Sequence, residues 1–180
     1  MDLLKNCSDI YKNYVGYEYT FITDCNYSVK VRFAESHFYH LAGLHYLKDI
    51  KQLDTRIKNN NTTNIFKRIQ KEKITHSHIQ KSVFYKQIEE RLVHFLNFDN
   101  VISAKIIVDF DYAKVYKTSI MSKYLLYKQY EDGYEILGLK YDTKYDVYIP
   151  ETFIVEHSDY YIKEQMSYNI VEVKTNLYKK

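Results

Sequence analysis

Two histidines, five positions apart, are the residues of this chain best suited to chemistry near neutral pH. His40 and His45 lie in the segment FYHLAGLHYLKD at positions 38–49. An imidazole has an ordinary pKa of about 6.5, so it can donate and accept protons at neutral pH. The pair therefore indicates acid–base chemistry.

The spacing of the two histidines argues against a zinc helix. On a straight α-helix, five positions turn a side chain by roughly 140°, whereas the HExxH pattern needs two ligands four apart on one face. The two rings share a pocket only if Gly43 breaks the helix, or if the site lies over the apolar stripe of the same segment. That stripe consists of Phe38, Leu41, Leu44 and Leu47. We expect neither a metal nor another cofactor, because no segment has three ligands at familiar spacing.

Composition predicts one domain of helices and strands, in which any nucleic-acid-binding surface covers only a small area. The chain has 180 residues, 26 basic and 23 acidic, with a net charge of +3, 21 tyrosines and 9 phenylalanines. We expect a single domain over 1–180, and this charge requires any nucleic-acid footprint to be local. Cys7 and Cys25 form no disulfide framework or CxxC motif. With no signal-like or membrane-spanning apolar run, we expect a cytoplasmic protein without a membrane partner.

The first hundred residues show mainly helical patterns around one hairpin. Apolar residues at three-and-four spacing predict a helix over 3–15, and Ser36 is the expected N-cap of the histidine helix. Alternation over 17–21 and 29–33 predicts a β-hairpin. A polar loop and a basic helix or turn follow over 54–77, and a long core helix is expected over 79–96.

The second half of the chain shows strand patterns. Alternation predicts strands over 105–112, 123–130, 134–140, 146–156 and 168–174. A tight connection is expected at 131–133, and Pro150 should mark an edge or a bulge. The predicted fold class is α+β, with N-terminal helices and a hairpin packed on a mainly antiparallel C-terminal sheet.

An ordered set of segments resembles a known nuclease family. The segments are FYHLAGLHYLKD at 38–49, IVDFD at 107–111, SKYLLYK at 122–128, ILGL at 136–139 and YIPETFI at 148–154. Together they resemble the fourth type of phage-associated barnase, EndoU, colicin and RelE-like nuclease domains, over roughly residues 17–175. The resemblance implies a compact fold with N-terminal helices and an antiparallel sheet of about four strands. It also implies metal-independent ribonuclease activity.

The resemblance assigns roles to particular residues. RNA cleavage without a metal needs a base for the ribose 2′-hydroxyl, donors for the phosphorane and an acid for the leaving oxygen. His40 and His45 match the paired positions of the family's HLxGLH-like segment, and the order of their roles stays open. Lys123 and Thr152 are expected to complete the catalytic set. Further candidates for phosphate or base contact are Arg68, Lys117 and Tyr127.

Two other function classes remain open at this stage. The first is a non-catalytic RNA- or protein-binding module of the same fold, such as a phage or host inhibitor, and the second is a structural phage protein. For the ribonuclease, the expected partners are an RNA, such as tRNA or mRNA, and an antitoxin or immunity protein. A bacterial or phage-infected cytoplasm is the expected location, in a phage, prophage or toxin context.

Overall fold

The structure, a computed structural model, describes residues 2–178, which divide into two compact units. Within the described residues, the first unit, here the helical unit, comprises 2–15 and 34–98, and the second, the barrel unit, comprises 16–33 and 99–178. The expectation of one domain stays a prediction, and residues 1, 179 and 180 of its range lie outside the described residues.

Short helices build the helical unit. Their bounds are α1 Leu3–Lys12, α2 Phe38–Leu41, α3 Thr62–Gln70, α4 His76–Ile79 and α5 Glu89–Phe95, with 3₁₀ turns at Glu35–His37, Leu44–Tyr46, Lys51–Leu53 and Tyr85–Gln87. A further helix, α6 Phe98–Ile102, runs from the end of this unit into the barrel unit. The two longest helices each begin with a side-chain N-cap. The Asp2 side chain accepts a hydrogen bond from the Lys5 N–H at α1, and the Asn61 side chain accepts one from the Asn64 N–H at α3.

Aromatic packing around Tyr11 holds these helices together. Its ring lies 5.6 Å from Phe38, 6.2 Å from Phe66, 6.3 Å from Phe95 and 6.0 Å from Phe98. All five side chains are buried, and such ring pairs add stabilisation beyond their buried area. Phe38 therefore anchors the histidine segment to α1, α3 and α5.

The barrel unit is a closed barrel of seven strands within the described residues. The strands are β1 Tyr17–Thr23, β2 Ser28–Arg32, β3 Ile106–Asp109, β4 Tyr124–Tyr130, β5 Gly133–Asp142, β6 Val147–Glu156 and β7 Met166–Leu177. Their order around the barrel is β1-β2-β6-β5-β4-β3-β7, and β7 pairs with β1. All pairs are antiparallel except β2 with β6, which pair in parallel at Val31 and Tyr148.

The prediction for Pro150 is confirmed as a bulge. Gly138 pairs with Thr152 and Leu139 pairs with Pro150, so Glu151 is the extra residue of β6. Proline has no N–H to donate to a strand ladder, and a bulge accommodates this.

The mixed fold class, the hairpin and the five C-terminal strands are confirmed, with some differences. The predicted hairpin forms β1 and β2 of the barrel itself, and seven strands replace the four or so that the family resemblance implied. The packing of helices on the sheet stays a prediction. No helix within 2–178 has the length and apolar character needed to cross a bilayer.

Two helix predictions are wrong. The expected helix over 79–96 is interrupted, because Asp49 accepts hydrogen bonds from the Ser82 hydroxyl at 2.5 Å and from the Val83 N–H at 2.9 Å. Val83 is accordingly 81% exposed instead of lying in the core. Ser36 is not an N-cap but lies inside the 3₁₀ turn Glu35–His37, which Ala34 precedes.

Candidate active site

The histidine segment is broken at Gly43, and the break brings the two imidazoles together. α2 ends at Leu41, Gly43 adopts a left-handed conformation with φ +73°, and a 3₁₀ turn begins at Leu44. The ring centroids of His40 and His45 are 5.0 Å apart. The rotation expected of a straight helix is therefore removed, and both rings line the same cavity.

Close packing requires glycine at position 43. A Cβ there would lie 2.7 Å from Ile88 Cγ2 and 3.1 Å from Arg91 Nη1. The φ value is also one that side-chain-bearing residues adopt at a cost. Position 43 thus combines a backbone requirement with a steric one.

His45 lies in an environment that keeps it neutral. Burial lowers its pKa to about 4, and the nearby His40 and Arg91 contribute to the same shift. The backbone of Tyr39 opposes this shift, but the buried Nδ1 atom has no partner in hydrogen-bonding geometry among residues 2–178, and the ring lies 4.1 Å from that of Tyr46. His45 is therefore uncharged at neutral pH, whereas His40 is solvent-exposed.

Arg91 is a partly desolvated cation close to the two histidines. Burial lowers the pKa of its guanidinium, which lies 5.4 Å from the Tyr46 ring centroid in a cation–π contact. Its Nη1 atom is 3.5 Å from the His40 carbonyl oxygen. Arg91 therefore adds positive electrostatic potential near His45.

The cavity in front of the histidines has a volume of about 580 Å³ and a cationic lining. Besides His40 and His45, its polar lining includes Lys48, Asp54, Arg56, Asn61 and Thr62. Thr62 is the first residue of α3, so the positive end of a nine-residue helix also meets the cavity. Such a lining suits a phosphate group.

Arg56 and Asp54 form an ion pair at the cavity. Arg56 Nε donates to Asp54 Oδ1 at 2.8 Å and Nη2 donates to Oδ2 at 3.0 Å. The Arg56 side chain is 85% exposed, and its proximity lowers the pKa of the Asp54 carboxyl. The pair orients the guanidinium but offsets part of its charge.

Lys123 and Thr152 lie in the barrel unit, whereas the histidines lie in the helical unit. Lys123 precedes β4 and donates to Asp109 Oδ1 at 2.5 Å. Thr152 pairs with Gly138 on β5. A Cβ added at Gly138 would clash with Ser122 Oγ and would lie 2.9 Å from Thr152 Cγ2. Their convergence with the histidines on one phosphate stays a prediction.

The weaker sequence candidates occupy three different settings. Arg68, on α3, is half-buried and donates to Asn60 Oδ1 at 2.9 Å. Lys117 is exposed in a loop with φ +56°. Tyr127 packs against an apolar cluster of the barrel unit, where burial raises its pKa. Their substrate contacts stay predictions.

No group of three histidine, cysteine, aspartate or glutamate residues within 2–178 is placed to hold a metal ion.

Comparison with known families now places the chain. The model of the phage-Barnase-EndoU-ColicinE5/D-RelE like nuclease4 family, PBECR4, matches residues 3–180. The chain belongs to this family. Neither the comparison with curated proteins nor the comparison with solved structures gave a match.

Sequence reasoning missed part of the lining of this PBECR4 cavity. Lys48, Arg56 and Asn61 were not singled out, although all three face the same space as the histidines. A usable signal was present, because residues 48–73 hold eight lysines and arginines against three acidic residues. Three of these cations, Lys51, Arg56 and Lys58, lie in the loop that follows the histidine segment.

Proposed function

We propose that this protein is a metal-independent endoribonuclease that cleaves RNA by attack of the ribose 2′-hydroxyl on the adjacent phosphate. The observation that carries the proposal is the pair of imidazoles, 5.0 Å apart, at the wall of a cationic cavity. Membership of a nuclease-like family supports the general class of reaction. Transesterification of RNA needs a base, an acid and cationic donors, and the cavity lining includes all three kinds of group.

His45 is assigned as the general base and His40 as the general acid. Because its pKa is lowered to about 4, His45 is deprotonated at neutral pH, and its buried Nδ1 leaves Nε2 for proton transfer. A phosphodiester anion in the cavity favours the imidazolium and raises this pKa toward neutrality. His45 takes the 2′-hydroxyl proton as O2′ bonds to phosphorus.

The second proton transfer completes the cleavage. Lys48 and Arg56 face the cavity and stabilise the charge that develops on the pentacoordinate phosphorus. The bond from phosphorus to O5′ then breaks, and His40 gives its proton to the departing oxygen. The products are a 2′,3′-cyclic phosphate and a free 5′-hydroxyl.

The test is cleavage of RNA by the purified protein in EDTA. We expect new ends in total tRNA or in a single-stranded oligonucleotide, with 2′,3′-cyclic phosphate termini identified by mass spectrometry. His40→Ala and His45→Ala should each abolish cleavage and shift the melting temperature by only a few degrees. His157→Ala, which removes an exposed imidazole of the barrel unit, is the matched control and should cleave normally.

A non-catalytic binding module is the second candidate. Ion pairing favours it, because Asp109 offsets part of the charge of Lys123 and Asp54 offsets part of the charge of Arg56. A folded protein that binds RNA but leaves every RNA intact would select this alternative.

The biological setting forms part of the proposal. The family is phage-associated by its description. We propose action on RNA in the cytoplasm of a bacterial or phage-infected cell, with control by an antitoxin or immunity protein. Co-purification of the tagged protein with a small protein encoded beside it would test the last element.

A further inference from the structure

Positive charge is concentrated in one segment of the helical unit. Residues 48–73 carry eight basic and three acidic residues, a formal charge of +5, whereas the whole chain carries +3. The rest of the chain therefore sums to −2. This excess of positive charge favours the approach of a polyanion to the segment.

The loop after the histidine segment lines two cavities. Residues 53–56 line the histidine cavity, while residues 51, 52 and 57–60 line a second cavity of about 420 Å³. The second cavity is lined by Lys51, Gln52, Ile57, Lys58, Asn59, Asn60 and Arg68, without a carboxylate among them. One loop thus contributes residues to two cavities, and each cavity is lined by cations.

The second cavity is held in shape by Asn60. This residue is 6% exposed, and its Nδ2 donates to the Gln52 carbonyl at 3.0 Å and to the Asp54 carbonyl at 2.8 Å. Its Oδ1 accepts from Arg68 Nη1 at 2.9 Å. A buried amide therefore fixes both the loop and the guanidinium that lines the cavity.

Two lysines of the second cavity carry unneutralised charge. Lys51 and Lys58 are exposed and make no ion pair with a carboxylate of residues 2–178, in contrast to Arg56 in the histidine cavity. With Arg68 they place three cations around one space. A phosphate monoanion is the ligand class that this combination suits best.

We propose that the second cavity is a binding subsite for a further backbone phosphate of the single-stranded RNA whose scissile phosphate lies in the histidine cavity. The inference rests on the proposed function for its substrate. Phosphate contacts carry little base preference, so the subsite sets affinity and register along the strand. The partly exposed Ile57 offers an apolar surface for the adjoining ribose or base.

The experiment measures RNA binding as a function of salt. A fluorescent 12-nucleotide single-stranded RNA is titrated with the His40→Ala/His45→Ala protein from 50 to 300 mM KCl by anisotropy. Adding Lys51→Gln/Lys58→Gln should reduce the slope of log K against log salt by about 0.7 to 1.4, the release expected for one or two phosphates of a single strand. The same slope change predicts binding about 5- to 25-fold weaker at 0.1 M salt.

Lys71→Gln/Lys73→Gln is the matched control. It removes the same charge from the same basic segment, at exposed positions that line neither cavity. An unchanged slope in this control supports the subsite. Equal losses in the two double variants, or no loss in either, would overturn it, because binding would then be diffuse or located elsewhere.

A second measurement separates this proposal from the proposed function. Binding needs no cleavage, so an inactive wild-type protein would refute the nuclease and leave the salt test in force. In an active protein, Lys51→Gln/Lys58→Gln should keep the wild-type rate on a dinucleoside monophosphate and lose 5- to 25-fold in kcat/KM on the 12-nucleotide RNA. An equal loss on both substrates would place the lysines at the scissile phosphate and refute a separate subsite.

Discussion

Titration of His45 tests the electrostatic description of the candidate active site. Burial, with His40 and Arg91 nearby, lowers its pKa in the folded chain to about 4, against an ordinary value of 6.5. Between these two values the unfolded chain binds more protons than the folded chain. The contribution of His45 to the free energy of unfolding is therefore complete above about pH 6.5, and it is lost as the pH falls from 6.5 toward 4.

The size of the effect follows from the shift and from the exposure of the ring. A fully buried group with this difference in pKa would lose about 3 kcal/mol between pH 7 and pH 4. His45 is only half-buried, and solvent screening reduces such contributions, so we expect about 1–2 kcal/mol. Protonation of carboxylates contributes in the same range, which makes comparison with a variant essential.

The assay combines NMR titration with denaturation. The Cε1–Hε1 correlation of His45, assigned through its loss in His45→Gln, should titrate near pH 4. Urea unfolding at pH 7, 5.5 and 4 should show a smaller pH dependence for His45→Gln than for the wild type, while His157→Gln should follow the wild type. A His45 midpoint at pH 6 or above, or identical pH dependence in all three proteins, would refute the reasoning.

Three further predictions concern the glycine break, the cavity ion pair and metal dependence. Gly43→Ala should destabilise by at least about 1 kcal/mol more than Gly16→Ala in urea unfolding, since both have positive φ but only Gly43 faces a close contact with Ile88; equal effects would contradict the steric argument. Asp54→Asn should bind single-stranded RNA about 2- to 5-fold more tightly at low salt, because it releases Arg56 from its carboxylate; weaker anisotropy binding would show that the pair is needed as built. Cleavage of RNA should persist in EDTA, and its loss with recovery on adding a divalent cation would show that the reaction needs a metal.

The strands were predictable because their signals are local. Alternation of apolar residues located all five C-terminal strands to within a few residues, and Gly133 marked the turn between β4 and β5. Closure of the barrel was not predictable, because it depends on Val31 meeting Tyr148 across most of the chain. Pairing between distant strands leaves no periodic trace in either segment.

The helices were predicted less well, for a physical reason that can be named. Apolar spacing over 79–96 favours one helix, but the Asp49 carboxylate binds Ser82 and Val83 and ends that continuity. A carboxylate from 33 positions away is invisible to local pattern analysis.

The candidate site was predictable in part. The histidines and the role of Gly43 followed from residue types, whereas the cavity lining depends on a loop that the buried amide of Asn60 holds in shape. Loop shape of this kind comes from tertiary hydrogen bonds, which propensity does not report.

The parallel pairing of β2 with β6 is a weak point in the closure of the barrel. Within residues 2–178 this pairing consists of Val31 and Tyr148 alone, whereas β1 and β7 pair at seven positions. Local opening requires the least free energy where the fewest backbone hydrogen bonds break. The barrel should therefore open first between β2 and β6, giving an open seven-stranded sheet in which the other strand pairs stay intact. Native-state hydrogen exchange would then run fastest along the facing edges of β2 and β6, and the opened state would expose two strand edges to other chains.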